Sequence, residues 1–132
     1  MESSREIFRR YVSSYETGDA ANVAAYLHPS HVYHPPGGGK SMVRKERIDD
    51  ERFFFSAFSN IETVTEDEIV EGDRVAARIT MRCTHTGDYQ GLVATGRRIS
   101  ISYLEIVHFK ERLIEEEWAE FDMMSILNQL RA

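Results

Sequence analysis

At Asn60 the spacing of apolar residues changes. Before it they recur every three or four positions, as on one face of a helix; after it they alternate with polar residues, as along half-buried strands. A chain with that break has helices first and strands afterwards. It can bury both sets of apolar faces only by curling a sheet over the helices, so the fold class is α+β: a cone of three N-terminal helices on a strongly curved antiparallel sheet of about four long strands. The open end of such a cone is a natural pocket.

The local signals place the elements. Ser3 and Glu6 form a capping-box pattern, and Ile7, Phe8, Tyr11, Val12 and Tyr15 continue a first helix towards Gly18. Asp19 can cap a second helix that ends near Leu27, because Pro29 restricts its predecessor. All three prolines and the Gly37-Gly38-Gly39 run fall between Pro29 and Gly39, which reads as a loop. A third helix is expected from about Ser41 to Phe58, with Ile48, Phe54, Phe55 and Phe58 as its buried stripe. Strands follow from Ile61 to Val70 and from Val75 to about Thr86, with a turn at Glu71-Gly72-Asp73. After a loop carrying Gly87, Gly91 and Gly96, Ile99 to Phe109 and Leu113 to Phe121 form a hairpin around Lys110-Glu111-Arg112. No Gly or Asn there specifies the turn. Asp122 can cap a last helix, Met123 to Leu130. Residues 1–132 read as one domain without repeats.

Composition narrows the partners. A domain of 132 residues buries roughly 68% of the surface its unfolded chain exposes. A net charge of -6 argues against a nucleic-acid partner, and no stretch approaches the ~20 apolar residues of a membrane span. The single cysteine, Cys83, cannot form an internal disulfide, and Met1 to Arg5 lacks the apolar core of a signal peptide, so the cytoplasm is the expected compartment.

Most catalytic patterns are missing. His28, His31 and His34 lie three apart, but the spacing crosses a helix end and a proline-rich loop, and a zinc site usually adds Cys or a carboxylate. Gly37-Gly38-Gly39-Lys40-Ser41 follows Pro35-Pro36 where a phosphate-binding loop would follow a buried strand. No Gly-x-Ser-x-Gly elbow is present. General acid and base work by strand residues facing an apolar pocket remains, with His85, Glu105, His108, Glu116, Glu120 and Asp122 as candidates. Glu115, Glu116 and Glu117 cannot all point inward.

Thr84-His85-Thr86-Gly87-Asp88-Tyr89-Gln90-Gly91, Thr95-Gly96-Arg97-Arg98-Ile99, Trp118, Asp122 and Asn128-Gln129-Leu130 together resemble the SnoaL-like polyketide cyclase family, within the NTF2-like superfamily. Tyr15, Gly18, Leu27-His28-Pro29, Ala57-Phe58 and Glu71 to Ala76 agree more loosely. The resemblance implies the curled-sheet cone, no metal or organic cofactor, a homodimer or higher homo-oligomer built through the outer sheet face, and a small hydrophobic organic ligand. It also implies aldol cyclase chemistry by an aspartate directly after the last-strand tryptophan, assisted by a histidine on the neighbouring strand. Here Ala119 follows Trp118 and Glu105 stands at the histidine's place, so Glu105 is the principal candidate base and His85 a second catalytic candidate. Tyr15, Tyr33, His34, Trp118 and Asp122 are candidate pocket groups. With the aspartate gone, two readings stay open: proton transfer next to a carbonyl, or a non-catalytic ligand-binding or dimerisation module.

Overall fold

The computed structural model describes residues 2–132; Met1, part of the N-terminal stretch read above, lies outside them. In chain order the elements are α1 (Ser4–Ser14), a 3₁₀ turn (Tyr15–Thr17), α2 (Ala20–Ala24), β1 (Leu27–His34), a second 3₁₀ turn (Pro36–Gly38), β2 (Met42–Val43), α3 (Arg44–Ala57), β3 (Phe58–Glu71), β4 (Arg74–His85), β5 (Arg98–Lys110), β6 (Leu113–Phe121) and α4 (Met123–Arg131). The helices pack on one face of a curved sheet ordered β2-β1-β6-β5-β4-β3.

The helix signals act as the sequence implies. The Ser3 hydroxyl accepts from the Glu6 amide at 3.2 Å, and the Glu6 carboxylate accepts from the Ser3 amide at 3.0 Å, closing the capping box. Asp19 accepts from the Ala21 amide at 2.9 Å and Asp122 from the Met124 amide at 2.9 Å. Gly18, at φ 65°, ends the turn after α1. The apolar face of α1 (Ile7, Phe8, Tyr11, Val12) is buried against the inner sheet residues, among them Val75, Ile79, Cys83 and Val107. Burial pushes the Cys83 thiol up to about 12, which keeps it a small apolar filler.

Four expectations need correction. The sheet is mixed and six-stranded, because β1 runs parallel to β6 while the other pairs are antiparallel. The segment from Pro29 read as a loop contains β1. Pro29 is tolerated because the β1–β6 register breaks between Leu27 and Val32, so no ladder bond is asked of it. Helix α2 stops at Ala24 and α3 starts at Arg44, where the Glu46 carboxylate accepts from the Val43 amide at 3.1 Å. The fully buried positions of α3 are Arg47, Glu51 and Ala57, while Ile48, Phe54 and Phe55 are half-buried and Phe58 opens β3.

Strand bends curl the sheet. Register shifts interrupt β3–β4 between Ser59 and Glu62 and between Thr65 and Asp67, with Asn60 at φ 50° beside the first. The β5–β6 hairpin closes on two residues, Glu111 and Arg112, at φ 54° and 67°. That is the twist a two-residue hairpin needs, here reached without Gly or Asn. Side-chain hydrogen bonds brace it: Glu111 bonds His28 at 3.1 Å, and Arg112 donates to the Glu2 carbonyl at 3.0 Å.

Candidate active site: a cavity closed by buried carboxylates

Between α3, the inner sheet face and α4 lies a cavity of about 390 Å³. Helix α3 presents Arg47, Asp50, Glu51 and Phe54 to it, positions i, i+3, i+4 and i+7 on one helical face. Strands β5 and β6 present Ile101, Tyr103, Glu105, Ala119 and Phe121, which alternate with outward residues as the pleat requires. Tyr15 and Tyr33 complete the polar part of the wall, and Met81, Met123 and Ile126 belong to the apolar part.

Glu105 pairs directly across the hairpin with Ala119. Two positions along the same inner face of β6 stands Glu117, fully buried, and the charge of one carboxyl acts strongly on the other. Two carboxylates at such range cannot both ionise. Burial, and then the Glu117 charge, push Glu105 well above the usual carboxyl range, so it keeps its proton. Burial alone would raise Glu117 as well. The Arg47 guanidinium, the protonated Glu105 carboxyl beside it and the hydrogen bond from Tyr11 outweigh that and hold it low, so Glu117 is the ionised member of the pair.

A network of side chains fixes this division. Tyr11 donates to Glu117 Oε2 at 2.7 Å. Its hydroxyl lies 3.3 Å from that of Tyr15, which accepts from Arg47 Nη2 at 2.9 Å. Arg47 Nη1 is paired with Glu51 one turn on, Nη2 lies 3.6 Å from Glu117 Oε1, and the guanidinium stacks 3.7 Å above the Tyr33 ring. His31 Nδ1 donates to the Ile114 carbonyl at 2.8 Å, which leaves Nε2 facing Glu117 Oε1 at 3.6 Å. Burial lowers His31 further than Glu117 raises it, so the ring is neutral. Glu51 is pushed up to about 7 by burial, against the pull of Arg47. One oxygen of each carboxyl, Glu51 Oε2, Glu105 Oε1 and Glu117 Oε1, and the Arg47 Nε have no hydrogen-bond partner. Such groups cost stability where they stand.

Of the candidate site groups named from the sequence, Tyr15, Tyr33 and Glu105 line this cavity, while His34, His85, His108, Glu116, Trp118, Glu120 and Asp122 do not. His85 is buried below the loop that follows β4, where its Nδ1 accepts from the Thr95 amide at 3.1 Å and packs beside Phe58. It anchors that loop. Its neighbour Gly87 explains part of the motif: a Cβ there would sit 2.0 Å from the Ser56 carbonyl oxygen. His34 and Trp118 lie on the outer face, stacked with ring centroids 4.8 Å apart, because both occupy the outward phase of their strands. His108 packs on the other side of Trp118, and Glu116 bonds His34 at 2.7 Å. Glu120 accepts from the Gly37 amide at 3.2 Å, and Asp122 is spent on capping α4. The three histidines of β1 diverge, His31 inward and His34 outward.

Glu117, Arg47 and Glu51 were not anticipated. A signal for each was present: Glu117 is in phase with Ala119 and Phe121, and Arg47 and Glu51 precede Phe54 by seven and three residues on one helix face.

A model of the SnoaL-like polyketide cyclases matches residues 5–130. The chain belongs to that family. One SnoaL-like relative, the aklanonic acid methyl ester cyclase DnrD of Streptomyces peucetius, is 24% identical over 128 residues, covering 92% of this chain and 87% of its own. Among solved structures, AclR of Streptomyces galilaeus superposes with a TM-score of 0.88 at 23% identity, covering 97% of this chain and 95% of its own. IdmH of Streptomyces antibioticus superposes with a TM-score of 0.86 at 23% identity, covering 99% and 100%. These likenesses establish the NTF2-like α+β fold. No helix among the described residues is long and apolar enough to cross a membrane.

Proposed function

We propose that this SnoaL-like protein is a small-molecule enzyme that moves a proton next to a carbonyl of a hydrophobic organic substrate, by aldol cyclase or isomerase chemistry, with Glu105 as an acid–base group. One observation carries the reading: a carboxyl in the cavity wall, directly opposite Ala119, is held in its acid form by burial and then by an ionised partner. A neutral carboxyl in an apolar site can donate to a carbonyl oxygen and strengthen that bond as the oxygen gains enolate charge. Ala119 carries nothing beyond Cβ, so the space beside Glu105 remains open to the substrate. In a ring closure, the enolate carbon would attack a second carbonyl, and the alkoxide formed would take up the proton.

The relative's substrate supplies a first probe. Aklanonic acid methyl ester, incubated with the protein and followed by mass-resolved chromatography, is expected to cyclise, and Glu105→Gln is expected to lose about 10²–10³-fold in kcat/KM. A ligand that raises the melting temperature yet is recovered unchanged would instead favour a binding module.

The reading extends to assembly. Leu104 and Ile106 are exposed on the outer face, with Ile106 paired to Trp118, and this apolar row suits a homodimer joined sheet to sheet.

A further inference from the structure

The carbon acid in such a reaction needs a base, and Glu105 holds a proton. Three carboxyl residues line the cavity: Asp50, Glu51 and Glu105. The Asp50 side chain is 46% exposed and rests against Arg47 at 3.7 Å. Glu51 is 4% exposed, and its Oε2 has no hydrogen-bond partner.

We infer that Glu51 is the general base of this cavity, taking the proton from the substrate carbon while Glu105, on the facing sheet, hydrogen-bonds the oxygen that becomes the enolate. The inference rests on the proton-transfer reading above and assigns its second residue. Helix α3 gives up an apolar position to hold this carboxyl, four residues after Arg47 and three before Phe54, on the face turned to the cavity. Arg47 fixes Oε1 and so orients the group. The step balances: the C–H electron pair stays on the substrate as the enolate, the proton goes to Glu51, and the same group returns it to the product.

The charge state fits that work. Glu51 titrates at about 7, so near neutral pH it is partly ionised and its conjugate acid is still acidic enough to give the proton back. On α3 it faces Arg47, which lowers it, and Asp50, which raises it. Across the cavity Glu117 on β6 raises it, and the Tyr15 hydroxyl beside Arg47 lowers it. Tyr33 on β1, with Tyr103 and Glu105 on β5, also feels its charge. All three keep their protons in the neutral range.

The test uses 2-tetralone, an aromatic ketone whose carbon-bound protons between ring and carbonyl exchange for deuterium through the enolate. In D₂O the wild-type protein is expected to accelerate exchange, with a rate that rises with pH about a midpoint near 7. Glu51→Gln should lower the rate about 10²–10⁴-fold and remove the rise. Glu51→Asp should keep a weaker version of it, and Glu105→Gln should slow exchange while leaving the midpoint in place. A folded Glu51→Gln protein with the wild-type rate and midpoint overturns the inference and leaves the proton-transfer reading standing. No exchange above the buffer rate in the wild-type protein overturns both. Should Glu51→Gln not fold, the Glu51 carboxyl ¹³C resonance of the wild-type protein decides: titration near 7 supports the assignment, and titration near 4.5 sinks it.

Discussion

Strand β4 and the β5–β6 hairpin are neighbours in one sheet, yet their faces carry opposite chemistry. On β4 the inward Val75, Ile79, Met81 and Cys83 are buried, and the outward Arg74, Arg78 and Arg82 are exposed. On the hairpin the inward Glu105 and Glu117 are buried, while the outward Leu104 and Ile106 are 57% and 45% exposed. Hydrophobic burial explains this stretch of β4. It explains neither Glu105 and Glu117 inside nor Leu104 and Ile106 outside, because burying carboxyls costs desolvation and leaving Leu and Ile in water forgoes a gain. A stretch that breaks the pattern on both sides of one sheet is where a fold departs from stability for some other purpose.

The sharpest way to break that comparison is at Arg47. Removing it as Arg47→Ala leaves Glu117 and Glu51 buried without their cation, and about 3–5 kcal/mol of stability should go with it. Ile79→Ala, on the regular strand, should cost about 2–5 kcal/mol, through a cavity alone. Denaturant melts over a range of salt and pH separate the two, because only the Arg47→Ala loss should shrink as pH falls and the stranded carboxylates take up protons.

A smaller effect is expected from pH. Glu51 and Glu105 both keep a proton in the fold that the unfolded chain releases near 4.5. The native state therefore binds more protons above that pH, so stability falls as pH rises from about 4.5 to about 7, where the Glu51 part levels off and the Glu105 part continues. Each group contributes at most about 1.4 kcal/mol per pH unit. Glu117 and His31 work the other way: the low value of Glu117 adds stability that is lost as pH falls below 4.5, and the lowered value of His31 adds stability that is lost as pH falls below 6.5, a single group against the two carboxyls. Melting temperatures across pH 4–9 check this, and Glu51→Gln should flatten the slope below 7. A wild-type stability that climbs through that window contradicts the assignment of protons in the cavity.

The least costly change lies outside. Ile106→Arg should leave monomer stability within about 0.5 kcal/mol, since the side chain already meets water. It should convert a dimer to a monomer by light scattering. An unchanged mass would mean that the exposed row of the hairpin serves no self-association.

Much of the frame was written locally. Capping at Ser3, Asp19 and Asp122 depends on residues two or three positions away, and the alternation through β4 and β5 is a property of consecutive side chains. Such short-range signals survive any tertiary context. The same chain hid β1, because Pro29 and the following prolines and glycines imitate a loop, and only parallel pairing with β6, far along the chain, makes a strand of it. The turn at Glu111 and Arg112 was located by the sequence but its type was not, since its left-handed backbone has contacts to His28 and Glu2 in place of turn residues.

At the site, the sequence alone determined that a carboxyl at 105 would stand near an alanine at 119, because adjacent antiparallel strands joined by a short hairpin leave little choice. It could not determine that Glu105 keeps its proton. That followed from Glu117 and Arg47, brought from β6 and α3 into one buried group, where the desolvation and coupling that fix each proton depend on distances of a few ångströms. Protonation in a buried cluster belongs to the assembled fold, because no single segment of the chain contains the charges that decide it.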